Sequence, residues 1–114
     1  MDIRTQVVLE HMLEDSLDIE QFIKEIDSPE ALSVNKLYRK AVIMSILNIG
    51  ESVKNLPQEF KVLYSEIPWK KIAGIRDVAA HKYYTIEDEI VWTVAKDYLP
   101  DLTNFLQKQL NLNN

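Results

Sequence analysis

The sequence predicts an all-α protein, an up-down bundle of four main helices with a short extra helix and a kinked C-terminal helix. Three observations carry that expectation. The chain has only 2 Gly and 4 Pro in 114 residues, too few for the many turns of a β protein. Its apolar residues, 46% of the total, recur mostly at three- and four-residue steps, the period of one helical face. The stretches between these patterns are short, which makes successive helices antiparallel neighbours. A chain of this length supports one core, so a single domain over residues 1–114 is expected.

The first helix is expected from about residue 3 to 26, on Ile3, Val7, Val8, Met12, Leu13, Leu17, Ile19, Phe22, Ile23 and Ile26. Asp27-Ser28-Pro29-Glu30 ends it, because the residue before a proline avoids helical ψ while Pro29 suits the first position of a new helix. The second main helix runs to Leu56-Pro57, with Ser33 as its N-cap and Leu37, Tyr38, Val42, Ile46, Ile49 and Val53 among its apolar set. From Ala41 to Ile49 it is apolar almost all round, as a central helix should be. Phe60, Leu63 and Tyr64 supply the short extra helix before Ile67-Pro68. Pro68 then opens a third main helix through Trp69, Ile72, Ile75, Val78 and Ala79. The last follows Thr85, whose hydroxyl can cap it, and Glu87, Asp88 and Glu89 complement its N-terminal dipole. Pro100 removes one backbone bond inside that pattern and should kink it. Tyr38, Trp69, Tyr84 and Trp92 are more aromatic surface than so small a bundle buries, so some are expected at subunit or partner contacts.

Composition removes several classes of chemistry. With no Cys there is no disulfide framework, thiolate nucleophile or zinc-thiolate site. The N-terminal residues lack a basic-then-apolar leader and no run approaches membrane length, so a soluble, cytoplasmic protein is expected. His11 and His81 are far apart and no His-Glu-x-x-His pair exists, so neither a metal nor another cofactor is expected, and His11 reads as a core-edge histidine. Gly50 and Gly74 are too distant from each other to form a phosphate loop.

The net charge of −5 repels a phosphate backbone overall. Lys70 to Lys82 is the local exception: Lys70, Lys71, Arg76 and Lys82 stand against Asp77 alone, leaving the excess acid elsewhere in the chain. The same stretch holds Arg76, His81 and Tyr83, an Arg, four residues, His, one residue, Tyr pattern. Arg grips phosphate oxygens in pairs, and His exchanges a proton near neutral pH. Together they suit phosphodiester cleavage by a ribose 2′-hydroxyl, with His81 as general base or acid and Arg76 stabilising the charge that develops on phosphate. Five residues of straight helix rotate by about 140°, so Arg76 and His81 do not share a face. Either His81 lies at a loosened helix end, or a two-fold dimer brings both copies of the motif to one cleft. A purely structural reading pairs Arg76 with Asp77, Glu87 or Glu89 and leaves His81 and Tyr83 to cap a helix corner.

Across nearly the whole chain the residues resemble the HepT-like toxins of the HEPN superfamily. The resemblance rests on Ile49-Gly50-Glu51-Ser52, on Ile67 to Arg76, on His81-Lys82-Tyr83, and on Val91-Trp92 with Leu99-Pro100, in order and spacing. The family's hallmark falls on Arg76, His81 and Tyr83, with Asp77 at the polar position after the arginine. The resemblance implies an HEPN-type bundle, a homodimer with paired motifs in a cleft, and metal-independent cleavage of an RNA substrate that stops growth. It assigns Arg76 and His81 as catalytic, with Asp77, Lys82 and Lys71 in support of phosphate binding. It also implies a partner in a type VII toxin–antitoxin system, a minimal nucleotidyltransferase antitoxin of the MntA type that neutralises the toxin by AMPylation of Tyr83, and not of Tyr84. The alternative it leaves open is a non-catalytic, substrate-binding subunit of the nucleotidyltransferase, which the chain's acidity suits.

Overall fold

The computed structural model describes residues 1–83 and 85–112. Its elements are α1 (Ile3–Ile26), α2 (Pro29–Val34), α3 (Lys36–Lys54), α4 (Gln58–Leu63), α5 (Trp69–His81), α6 (Asp88–Thr93), a π-helical turn (Val94–Tyr98) and α7 (Leu99–Leu112). The architecture is all-α, and no strand occurs among the described residues.

Helix α1 begins where the Asp2 side chain accepts from the Thr5 N–H at 2.7 Å and ends at Asp27, in the left-handed region at φ 71°, which a short polar side chain tolerates. The turn expected at Asp27–Glu30 is present, with Ser28 accepting from the Ala31 N–H at 3.1 Å and Pro29 in the first turn of α2. Ser33 does not cap the second main helix. It lies inside α2, its hydroxyl donating to the Glu30 carbonyl at 2.9 Å, and Asn35 caps α3 by accepting from the Tyr38 N–H at 3.2 Å. Asn35 forms the better cap because it stands outside helical φ,ψ between the two helices. Thr85 does not cap the last helix either, since α6 starts only at Asp88.

The central position of α3 follows from its burial. Val42, Ile43, Ile46, Ile49 and Val53 are buried, and α3 packs on both α1 and α5. It runs antiparallel to α1, the Tyr38 ring packing at a tilt against Phe22 and its hydroxyl donating to Glu25. The buried stripe of α1 is Thr5, Leu9, Met12, Ser16, Ile19 and Ile26; Ile3, Val7 and Leu17 from the apolar pattern are exposed. His11 is exposed too, so it is not a core-edge residue: the stripe passes through Leu9 and Met12, and His11 sits outside it. Trp69 is buried rather than an outward aromatic, its indole N–H donating to the Tyr64 carbonyl at 3.0 Å amid Phe60 and Phe105. Tyr38 and Trp92 are half-buried, and Tyr84 lies outside the described residues.

At the C-terminal end the chain is continuous from α6 to α7 through the π-helical turn, where the Leu99 N–H reaches back to the Val94 carbonyl. The irregularity thus falls in the turn just before Pro100, whose missing N–H already forbids an ordinary ladder there. No described helix is long and apolar enough to cross a membrane.

Candidate active site

The motif is set along the antiparallel seam of α3 and α5. A Cβ added at Gly50 would stand 2.0 Å from the Arg76 Cβ and 2.6 Å from its Cγ. Only glycine lets the helices approach this closely, so the Arg76 stem is pressed on bare α3 backbone. The contact sets where its guanidinium can reach.

Two carboxylates receive that guanidinium. Nη1 lies 3.2 Å from Asp77 and Nη2 3.4 Å from Glu51, while the buried Nε has no hydrogen-bond partner among the described residues. Asp77 also accepts from Lys54 Nζ at 2.7 Å. The Lys54 hydrogen bond, then that from Arg76, holds the Asp77 carboxyl below the usual aspartate range. Arg76 is thereby steered by Glu51 and Asp77, not by Glu87 or Glu89. Its side chain retains 30% exposure, so its outer edge is open to a phosphate able to displace a carboxylate.

His81 is the last residue of α5, and the Lys82 N–H still bonds the Val78 carbonyl at 2.9 Å. The helix is therefore intact through His81 and loosens only afterwards. The rotation of about 140° between Arg76 and His81 is retained within the single chain: Arg76 leans on α3, and His81 is exposed.

Beyond His81 the chain is gathered by Arg39, a residue to which no sequence motif points. Arg39 Nε contacts Asp88 at 2.6 Å, Nη2 donates to the Ile86 carbonyl at 2.9 Å and Nη1 to the Tyr83 carbonyl at 3.4 Å. Its guanidinium carbon lies 6.0 Å from the Tyr83 ring centroid. Tyr83 is half-buried and walls a recess of about 330 Å³ with Ser33, Lys36, Arg39 and Lys40. Lys82 is exposed beside it. Lys71 points elsewhere, its ammonium 4.3 Å from the Tyr98 ring centroid and 3.2 Å from the Tyr98 hydroxyl, and its described contacts do not join it to Arg76. Among the described residues no group of three or more His, Asp or Glu side chains is placed to hold a metal ion.

Residues 12–109 match the family model described as Ribonuclease HepT-like. The chain belongs to this family. A "Putative RNase" of Caldanaerobacter subterraneus subsp. tengcongensis is 37% identical over 94 residues, covering 82% of this chain and 83% of the relative. A "Probable ribonuclease HepT" of Thermococcus cleftensis is 37% identical over 90 residues, covering 79% and 81%. A "Gamma-glutamylcyclotransferase and putative RNase" of Methanocaldococcus jannaschii is 36% identical over 103 residues, covering 90% of this chain but 46% of that longer protein. No solved structure matches the chain. Within this HepT-like fold, Arg39 and Lys54 escape a reading of the sequence because their roles depend on packing, and Glu51, which the sequence marks only as part of Ile49-Gly50-Glu51-Ser52, meets Arg76 for the same reason. Gly50 offers the one usable signal: a glycine inside a strongly helical pattern marks a close approach.

Proposed function

We propose that the chain is a metal-independent RNA endonuclease and the toxin of a type VII toxin–antitoxin pair, working as a homodimer. The observation that carries this is the placement of Arg76, wedged on Gly50 with an exposed guanidinium edge, on the same helix as a solvent-facing His81. In the reaction, a neutral His81 takes the proton of a ribose 2′-hydroxyl, whose oxygen attacks the adjacent phosphorus. The P–O5′ bond breaks, a 2′,3′-cyclic phosphate forms, and a protonated His81 from the second copy gives its proton to the departing 5′ oxygen. Arg76 holds the non-bridging oxygens as negative charge builds. The retained offset between Arg76 and His81 supports a two-fold arrangement, in which Arg76 of one copy faces His81 of the other.

Neutralisation follows at Tyr83. A minimal nucleotidyltransferase joins the Tyr83 oxygen to the α-phosphorus of ATP, pyrophosphate leaves with its electron pair, and the phenolic proton is lost. The adenylate adds bulk and negative charge next to the motif and competes with RNA phosphate. Support comes from the half-buried Tyr83 bordering a recess with three cationic side chains.

Purified, unmodified protein in chelator should cut RNA to products ending in 2′,3′-cyclic phosphate, and His81→Ala should slow this by about 10²–10⁴-fold. Incubation with the nucleotidyltransferase and ATP should raise the intact mass in adenylate steps, absent in Tyr83→Phe. If the protein cuts nothing while a metal-independent control ribonuclease does, the non-catalytic nucleotidyltransferase-binding subunit replaces this reading. The two carboxylates already on Arg76 are what favours that second reading.

A further inference from the structure

The cleavage step uses Arg76 and His81 and gives no part to the basic recess that Tyr83 borders. Its floor is the first turns of α3, where Lys36 and Lys40 stand four residues apart and so on one face. Two like charges at that spacing repel each other. Neither ammonium lies within ion-pair distance of a described carboxylate, in a chain with 18 Asp and Glu against 13 Lys and Arg. Arg39, between them, is differently occupied: it is tied to Asp88 and to the Ile86 and Tyr83 carbonyls, and so it fixes the Tyr83 wall against α3.

We propose that this recess, through Lys36 and Lys40, holds a backbone phosphate of the RNA strand next to the one being cleaved. The inference rests on the ribonuclease reading and adds a phosphate subsite to it. Tyr83 belongs to the motif and to the recess wall at once, and two residues of chain span at most about 7 Å, so the recess adjoins the neighbourhood of His81. Its charge also has a boundary. The next hollow, sharing Ser33, is lined by Glu30, Glu87, Asp88 and Glu89, and a phosphate is repelled there. A strand leaving the motif past Tyr83 is therefore drawn along the lysine face of α3 and turned away from the start of α6. The two lysines supply position and affinity, and the chemistry stays with Arg76 and His81.

The test is equilibrium binding of a fluorescein-labelled single-stranded oligouridylate, read by anisotropy across a potassium chloride series. It is made in a His81→Ala background so that the probe survives. Lys36→Gln/Lys40→Gln should weaken binding several-fold and reduce the slope of log affinity against log salt by about 0.7 for each phosphate no longer neutralised. Lys36→Arg/Lys40→Arg should restore both. The charge-matched control is Arg4→Gln/Lys108→Gln, with Arg4 at the end of α1 remote from Lys36 in the antiparallel pair. Melting curves establish that each variant is folded. If the Lys36/Lys40 variant keeps the slope and affinity of the control, the subsite is overturned, and cleavage by the wild-type chain still stands on its own. Lysine-dependent binding by a wild-type chain that cuts no RNA would uphold the phosphate site and remove the ribonuclease reading instead.

Discussion

At its N-terminal end α5 is held by rings, and at its C-terminal end by charges. Trp69 is 6% exposed, hydrogen-bonded through its indole and surrounded by Phe60, Tyr64 and Phe105 across α4 and α7. Seven residues on, Arg76 is partly exposed between two carboxylates, and His81 ends the helix in solvent. The first arrangement is apolar and insensitive to salt, and its parts have one way to fit. The second is polar, its ion pairs are weak individually, and they can be exchanged for a ligand. One helix thus carries stability at one end and replaceable contacts at the other, which lets the charged end change partners without disturbing the fold.

Removing the rings at the N-terminal end of α5 has the largest expected effect. Trp69→Ala should destabilise the chain by about 3–5 kcal/mol, measured by chemical denaturation, whereas His81→Ala should leave the denaturation midpoint nearly unchanged. An equal loss in both would mean that the exposed end is structural after all. Gly50→Ala tests the joint between the two ends. Overpacking against the Arg76 stem costs about 1–3 kcal/mol and the better helix propensity of alanine returns up to about 1 kcal/mol, so a net loss of stability is expected. RNA cleavage should fall as well, because Arg76 is displaced with α5. A variant with unchanged melting and unchanged cleavage would show that the helices are free to separate here.

The smallest effect is one of pH. Asp77 is held below its ordinary value of 3.8, first by Lys54 and then by Arg76. A depressed carboxyl contributes stability that is present above its unfolded value and lost as pH falls through the folded one. The wild-type melting temperature should therefore drop more steeply below about pH 4 than that of Asp77→Asn, in paired thermal melts. Parallel curves would leave Asp77 without influence on the seam. High salt should bring the two curves together, since the Lys54 and Asp77 side chains are 40% and 49% exposed.

The helical class, the breaks at Pro29, Pro57 and Pro68, and the composition of the motif were all legible in the sequence. Each follows from local rules: a period of three to four, a ring that fixes φ, and side chains whose chemistry is their own. Ser33 and Thr85 are not the caps, because several polar residues near a helix start can serve and the choice between them depends on where the chain turns in space. Arg39 gave no local sign. Its partners lie 44 to 49 residues away in sequence, and only the antiparallel packing of α5 on α3 brings them to it. Packing likewise brings Glu51 to Arg76, Lys54 to Asp77 and the Arg76 stem onto Gly50, although a glycine inside a helical pattern is itself a sign of close approach. The sequence by itself determined which chemical groups the chain possesses and which stretches coil. The tertiary structure alone decided which of those groups meet, because that depends on helix separation and rotation, and these are set by the volumes of facing side chains summed over the whole interface.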